Sequence, residues 1–124
     1  MNYECILFFL LFPALGISQV QIGQDIDGEA AGDNSGSSIS LSSDGSIVAI
    51  GARHNSETAK NSGHVRVYEN LSGVWTQIGQ DIDGVALGDM SGHSVSLSSD
   101  GSIVAIGSYG NTTVGSWGGA CACF

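Results

Sequence analysis

Positive charge is scarce in this chain: three Lys plus Arg stand against twelve Asp plus Glu, a formal net charge of −9 in 124 residues. A surface this acidic repels phosphate backbones and anionic headgroups, which excludes nucleic acid and, once the leader below is gone, the membrane as partners. Proline occurs once, and nothing after residue 18 carries the 3.6-residue apolar period of a helix of any length. Cysteine occurs three times, at Cys5, Cys121 and Cys123, which indicates no disulfide framework. What the chain does have is 19 glycines and many serines, interleaved with short Ile and Val runs. That composition belongs to turn-rich β structure.

The first residues read differently. Cys5 to Ile17, CILFFLLFPALGI, is an apolar run too short to span a bilayer comfortably, and small and polar residues follow at once. Residues 1–18 are therefore expected to be a secretory signal, cleaved after Ser18, and the protein is expected to be secreted or at the cell surface. Loss of Glu4 with the leader would leave a charge of −8 on a chain starting at Gln19. The leading MNYE contains no Lys or Arg, so its positive charge is the α-amino group alone; a buried hydrophobic helix or an uncleaved anchor is the alternative.

The octapeptide QIGQDIDG occurs at Gln21 to Gly28 and again at Gln77 to Gly84, 56 residues on. At that offset Gln21 to Gly51 aligns with Gln77 to Gly107, and only 5 of the 31 pairs differ. Near identity at this period marks a tandem structural unit that cannot bury its hydrophobic face alone. The expected units are residues 19–76 and 77–124, the second truncated.

One unit contains four strand candidates. Ser37 to Leu41 places Ile39 and Leu41 on one face and serines on the other, and Ser46 to Ala52 is apolar on both faces and must be sandwiched. His64 to Glu69 and Val74 to Gly79 alternate as half-exposed strands do, which puts Arg66 on an outward face where its change to Glu should cost little. SSDG at Ser42 to Gly45 and ENLSG at Glu69 to Gly73 supply hairpin turns. Four antiparallel strands with a middle strand buried on both faces describe one β-propeller blade, so the expected fold is all-β, about two propeller blades in tandem.

The stretch from Ser35 to Glu69, SGSSISLSSDGSIVAIGARHNSETAKNSGHVRVYE, resembles the FG-GAP repeat of integrin α-chain propellers and of secreted, bacterial-type tandem-repeat proteins. Gly36, Ser38, Asp44, Gly45, Gly51, Ala52, Gly63, Val65, Val67 and Tyr68 fall in the order of that pattern. The resemblance implies an extracellular propeller, often seven-bladed, used for adhesion or ligand display and not for catalysis. Calcium does not carry over: the family's hairpin often has several spaced carboxylates, whereas both SSDG loops here have one, and calcium takes six to eight oxygens.

Other candidates for chemistry are few. Asp25, Asp27 and Asp33 recur as Asp81, Asp83 and Asp89 in the form DxDGxxxxD, but the Gly comes too early for an EF-type loop. These six carboxylates are the weak candidates for a metal, and they read as solvated turn residues of an inter-blade loop. His54, His64 and His93 have no ligand spacing and read as surface or strand residues. GSWGG at Gly115 to Gly119 lacks every partner of a nucleotide motif, while NLS at Asn70 and NTT at Asn111 match the glycosylation acceptor of a eukaryotic secretory pathway. No catalytic residue, cofactor or metal is expected.

Two blades do not close a ring that needs about four to eight, so open edges invite self-association. Gly119 to Phe124, GACACF, stands where the first unit has GHVRVY, and the codons GGG GCA TGT GCG TGT TTT minus their first base spell Gly-His-Val-Arg-Val. A one-base frameshift is the expected origin of the tail; a Cys-x-Cys pair of free thiols, or half a zinc site, is the alternative. The expected function is a non-catalytic extracellular binding or adhesion module with a protein or carbohydrate ligand. The alternative is the propeller portion of a larger secreted hydrolase or adhesin.

Overall fold

The computed structural model describes residues 18–111 and 119–124, so most of the expected leader and the GSWG of GSWGG lie outside the described residues. The described chain is all-β, in two antiparallel sheets and without a helix. The first sheet holds β1 (Ser35–Leu41), β2 (Ile47–Ala52), β3 (His64–Leu71) and β4 (Val74–Gln77) in that order. A fifth strand, β5 (Ile82–Asp83), pairs with β3 through His64 and Val65. The second sheet is β6 (Ser91–Leu97), β7 (Val104–Ser108) and β8 (Ala120–Cys123).

The turns follow from local chemistry. In the β1–β2 hairpin Asp44 Oδ1 accepts from the Ser42 hydroxyl, the Ser46 hydroxyl and the Ser46 amide at 2.7–3.0 Å, and Gly45 takes a φ of 73°. Asp100 does the same with Ser98 and Ser102 between β6 and β7. The β3–β4 hairpin turns on Ser72 and Gly73, both at positive φ, and the Asn70 side-chain oxygen accepts from the Gly73 amide at 2.8 Å.

The two sheets pack face to face. Ala49 and Val65, both at 0% exposure, meet Val104 and Ile106 of the second sheet, with Val67, Ile82, Val95 and Leu97 around them. The serine face of β1 joins this interface: Ser38 Oγ donates to the Gly92 carbonyl at 2.6 Å, and Ser40 Oγ accepts from the Leu97 amide at 2.9 Å. At Gly51 a side chain has no room, since a Cβ would collide with the Gly92 carbonyl and Ser38 Oγ. Backbone bonds from Gly84 to Gly63 and from Ser91 to Ser62, each 2.8 Å, tie the units at one end; the Ser43 amide and the Ser99 carbonyl, also 2.8 Å, tie them at the other.

β2 is covered on both faces in the first sheet, with Val48, Ala49, Gly51 and Ala52 buried and Ile47 and Ile50 partly so. The faces of β1 are sorted in a way that alternation alone does not dictate: its serines are against the second sheet, while Ile39 and Leu41 stand 64% and 57% exposed. Their equivalents in the second unit, Val95 and Leu97, are the side chains that pack on the first sheet. At β1 the first sheet thus presents outward side chains whose equivalents the second sheet buries.

The tail occupies the third-strand position. Ser108 pairs with Ala120 and Ala105 with Cys123, in the register by which Ala52 pairs with His64 and Ala49 with Val67. Both cysteines are free and exposed.

Candidate functional site

β-strand alternation sends Val65 and Val67 into the core, so His64 and Arg66 face the opposite side of β3. There the leading segment of the second repeat, which carries β5, returns along β3 and delivers Asp81 and Asp83, while the first unit's own loops bring Glu29 and Glu57. The Arg66 guanidinium donates from Nε at 2.9 Å and from a terminal nitrogen at 2.7 Å to Asp81 Oδ2, and it also pairs with Glu29 Oε1. Gln77 Nε2 donates to the other Asp81 oxygen at 2.6 Å. His64 is 3% exposed; its Nδ1 has no hydrogen-bond partner and lies 3.6 Å from Asp81 Oδ2, 3.9 Å from Glu29 Oε2 and 4.0 Å from Asp83 Oδ1.

This geometry sets the charges. The hydrogen bonds from Arg66 hold the Asp81 carboxyl below the ordinary carboxylate range, against its partial burial and with help from Gln77. The bond to Asp81 pushes the Arg66 guanidinium further up, and Glu29 adds to it. Four carboxylates, Glu29, Glu57, Asp81 and Asp83, surround one guanidinium and one imidazole.

One sequence expectation is corrected here. Arg66 does not lie on a free outward face but is half of a partly buried ion pair. His64, read as a surface or strand residue, is a strand residue at the start of β3, and it is buried beside Glu29 and Glu57. The six repeated aspartates divide by unit and position. Asp25 and Asp27 are exposed, as expected of solvated turns, and Asp25 accepts only from its neighbour Gln21 at 2.7 Å. Asp33 and Asp89 are buried at 7% and 2% exposure. Asp33 Oδ2 accepts from Asn55 at 2.9 Å, and Asp89 Oδ2 from the Val85 and Ala86 amides at 3.1 and 2.8 Å. Both carboxylates support their turns through these bonds, although Asp89 Oδ1 is buried without a hydrogen-bond partner. Only Asp81 and Asp83 join the cluster.

The remaining candidates are dispersed. His54 Nδ1 is 3.1 Å from the Asn34 amide nitrogen, and His93 stacks on Tyr109 with ring centroids 5.3 Å apart. At Asn70 the amide nitrogen that would carry a glycan is buried, and Asn111 is buried as well. The second unit does not repeat the cluster. Val85 replaces Glu29, and Ala120 and Ala122 stand in register with His64 and Arg66, beside a cavity of about 180 Å³ lined also by Ile106 and Phe124.

No family model, no curated protein and no solved structure matches this chain. Among the described residues no helix is long and apolar enough to cross a membrane. The signal for the cluster was present in the sequence as His64-x-Arg66 on a strand and DxD at the start of the next repeat. Nothing in one repeat says that these two meet.

Proposed function

We propose that this chain is a stack of propeller-type blades of the FG-GAP kind, secreted, and serving as a non-catalytic binding or adhesion module. The observation that carries the proposal is the quasi-equivalent stacking. The second unit docks Val95, Leu97, Val104 and Ile106 onto the Ala49 and Val65 face of the first. The first unit keeps Ile39 and Leu41, the equivalents of Val95 and Leu97, open. The opposite open face belongs to the second sheet, where Ala105, Gly107, Cys121 and Cys123 occupy the positions of Ala49, Gly51, Val65 and Val67. The two open faces differ, so a further blade or another copy adds head to tail, as in a propeller or an array. Such scaffolds act by displaying loops, which suits a protein or carbohydrate ligand.

Beads coated with the purified chain, tested against an immobilised glycan panel and purified extracellular-matrix proteins, are expected to bind at least one member saturably. Ester, glycoside and peptide reporters are expected to go unturned. Absence of binding across both panels, or reporter turnover abolished by a single substitution, would overturn the proposal.

A further inference from the structure

We propose that His64, Asp81, Glu29 and Glu57 form a binding site for a divalent transition-metal cation of the zinc type, placed at the junction of the two repeats. Their ligand atoms all lie within 4.8 Å of one another. A tetrahedral zinc with bonds of about 2.0–2.2 Å sets neighbouring N and O ligands about 3.4 Å apart. The 3.6 Å and 3.9 Å separations of His64 Nδ1 from Asp81 and Glu29 close to that value with movements of a few tenths of an ångström.

A second observation is independent of the acidic cluster. His64 is buried, its Nδ1 is without a hydrogen-bond partner, and it is aimed at the carboxylates. A buried polar atom left unpaired is costly, and a cation bonded to the Nδ1 lone pair removes that cost. The donor set also selects the ion: one imidazole among carboxylates suits zinc and its neighbours, whereas calcium and magnesium take oxygen alone.

Arg66 fits as an orienting partner. It pairs with Glu29 through Oε1 and leaves Oε2 on the His64 side, and it donates twice to Asp81 Oδ2, so a metal bond to that oxygen would replace one of the two. With Asp83 counted, the four carboxylates outweigh Arg66 by three charges, of which a divalent ion cancels two. Glu29 and Glu57 are at the solvent side and give the ion its way in. Since Asp81 comes from the second repeat and the other ligands from the first, the ion would clasp the two units together.

The test uses the whole chain stripped with EDTA, carrying Cys121→Ser and Cys123→Ser so that the tail thiols cannot compete for metal. Calorimetric titration with zinc is expected to give one site per chain and a raised Tm, with calcium and magnesium giving neither. Cobalt(II) is expected to give the visible absorption of a low-coordinate nitrogen and oxygen site. Glu57→Gln, at an exposed position that leaves folding intact, and His64→Gln are each expected to weaken zinc binding by at least about tenfold. Should His64→Gln fail to fold, Glu57→Gln and Glu29→Gln decide alone. No zinc binding to the two-serine chain, or zinc affinity unchanged in Glu57→Gln and Glu29→Gln, would mean that Arg66 alone satisfies the cluster and would overturn the proposal.

Discussion

Replacing Arg66 by Glu should be among the most damaging single changes at a position that is not fully buried. The wild-type guanidinium makes two charge-assisted bonds to Asp81 Oδ2, at 2.9 and 2.7 Å, and pairs with Glu29. Bonds to charged groups contribute about 1.5–3 kcal/mol each. Asp81 retains 18% exposure and recovers some water when they are lost, so removal alone should cost about 2 kcal/mol. The new carboxylate then faces Asp81. Two like charges about 4 Å apart repel by about 4 kcal/mol at an effective dielectric of 20, and rotation away relieves about half of that. The total is about 4 kcal/mol. Urea unfolding in EDTA at one fixed protein concentration measures it, with Arg66→Met expected near 2 kcal/mol. Asp81→Arg added to Arg66→Glu should restore part of the loss. A variant within about 0.5 kcal/mol of wild type would refute the ion-pair reasoning and return Arg66 to the free outward face that strand alternation alone suggests.

Gly51→Ala should cost more than about 2 kcal/mol, because its methyl group meets the Gly92 carbonyl across the sheet interface; Gly45→Ala, which has open space around it, should cost only the left-handed penalty of about 1–2 kcal/mol. Val48→Asp and Ile47→Asp should each cost several kcal/mol, whereas Ile39→Asp should leave stability within about 0.5 kcal/mol; thermal unfolding of the three distinguishes a strand covered on both faces from a one-sided sheet. The Ser46 amide, then the Ser46 and Ser42 hydroxyls, lower the Asp44 carboxyl from 3.8 to about 2, and Asp100 is lowered likewise by Ser102 and Ser98. Folded values below the unfolded ones give stability that is present above pH 3.8 and lost as pH falls to about 2, so Asp44→Asn with Asp100→Asn should flatten the acid limb of a Tm-against-pH curve in that window.

Much of the fold was legible because both repeats say the same thing. The Ile/Val run at Ile47 to Ala52, the Asp-Gly turns and the alternation from His64 fall within one or two residues of β2, the hairpins and β3. What was not legible depends on contacts between repeats. Ile39 and the serines beside it alternate whichever way the strand faces, and only the neighbouring sheet decides that the serines turn in. The two copies of QIGQDIDG show the same effect: Ile82 and Asp83 form β5 because β3 lies beside them. Ile26 and Asp27 have the same letters and no strand, while Ile22 and Gln24 bond instead to Trp75. The buried His64 and its carboxylates were invisible for the same reason, since their ligand atoms come from segments up to 52 residues apart. A closed propeller ring is likewise a relation among units and not a property of one.

Sedimentation velocity over a wide concentration range, comparing the wild-type chain with Ile39→Asp/Leu41→Asp, tests most directly that the outward face of the first sheet is an unfilled stacking surface. Both side chains are more than half exposed, so the double substitution spares the fold and removes only the surface. Concentration-dependent association of the wild type with a monomeric double variant is the predicted result; a wild type that stays monomeric throughout, or a variant that associates equally well, would contradict the stacked-blade account.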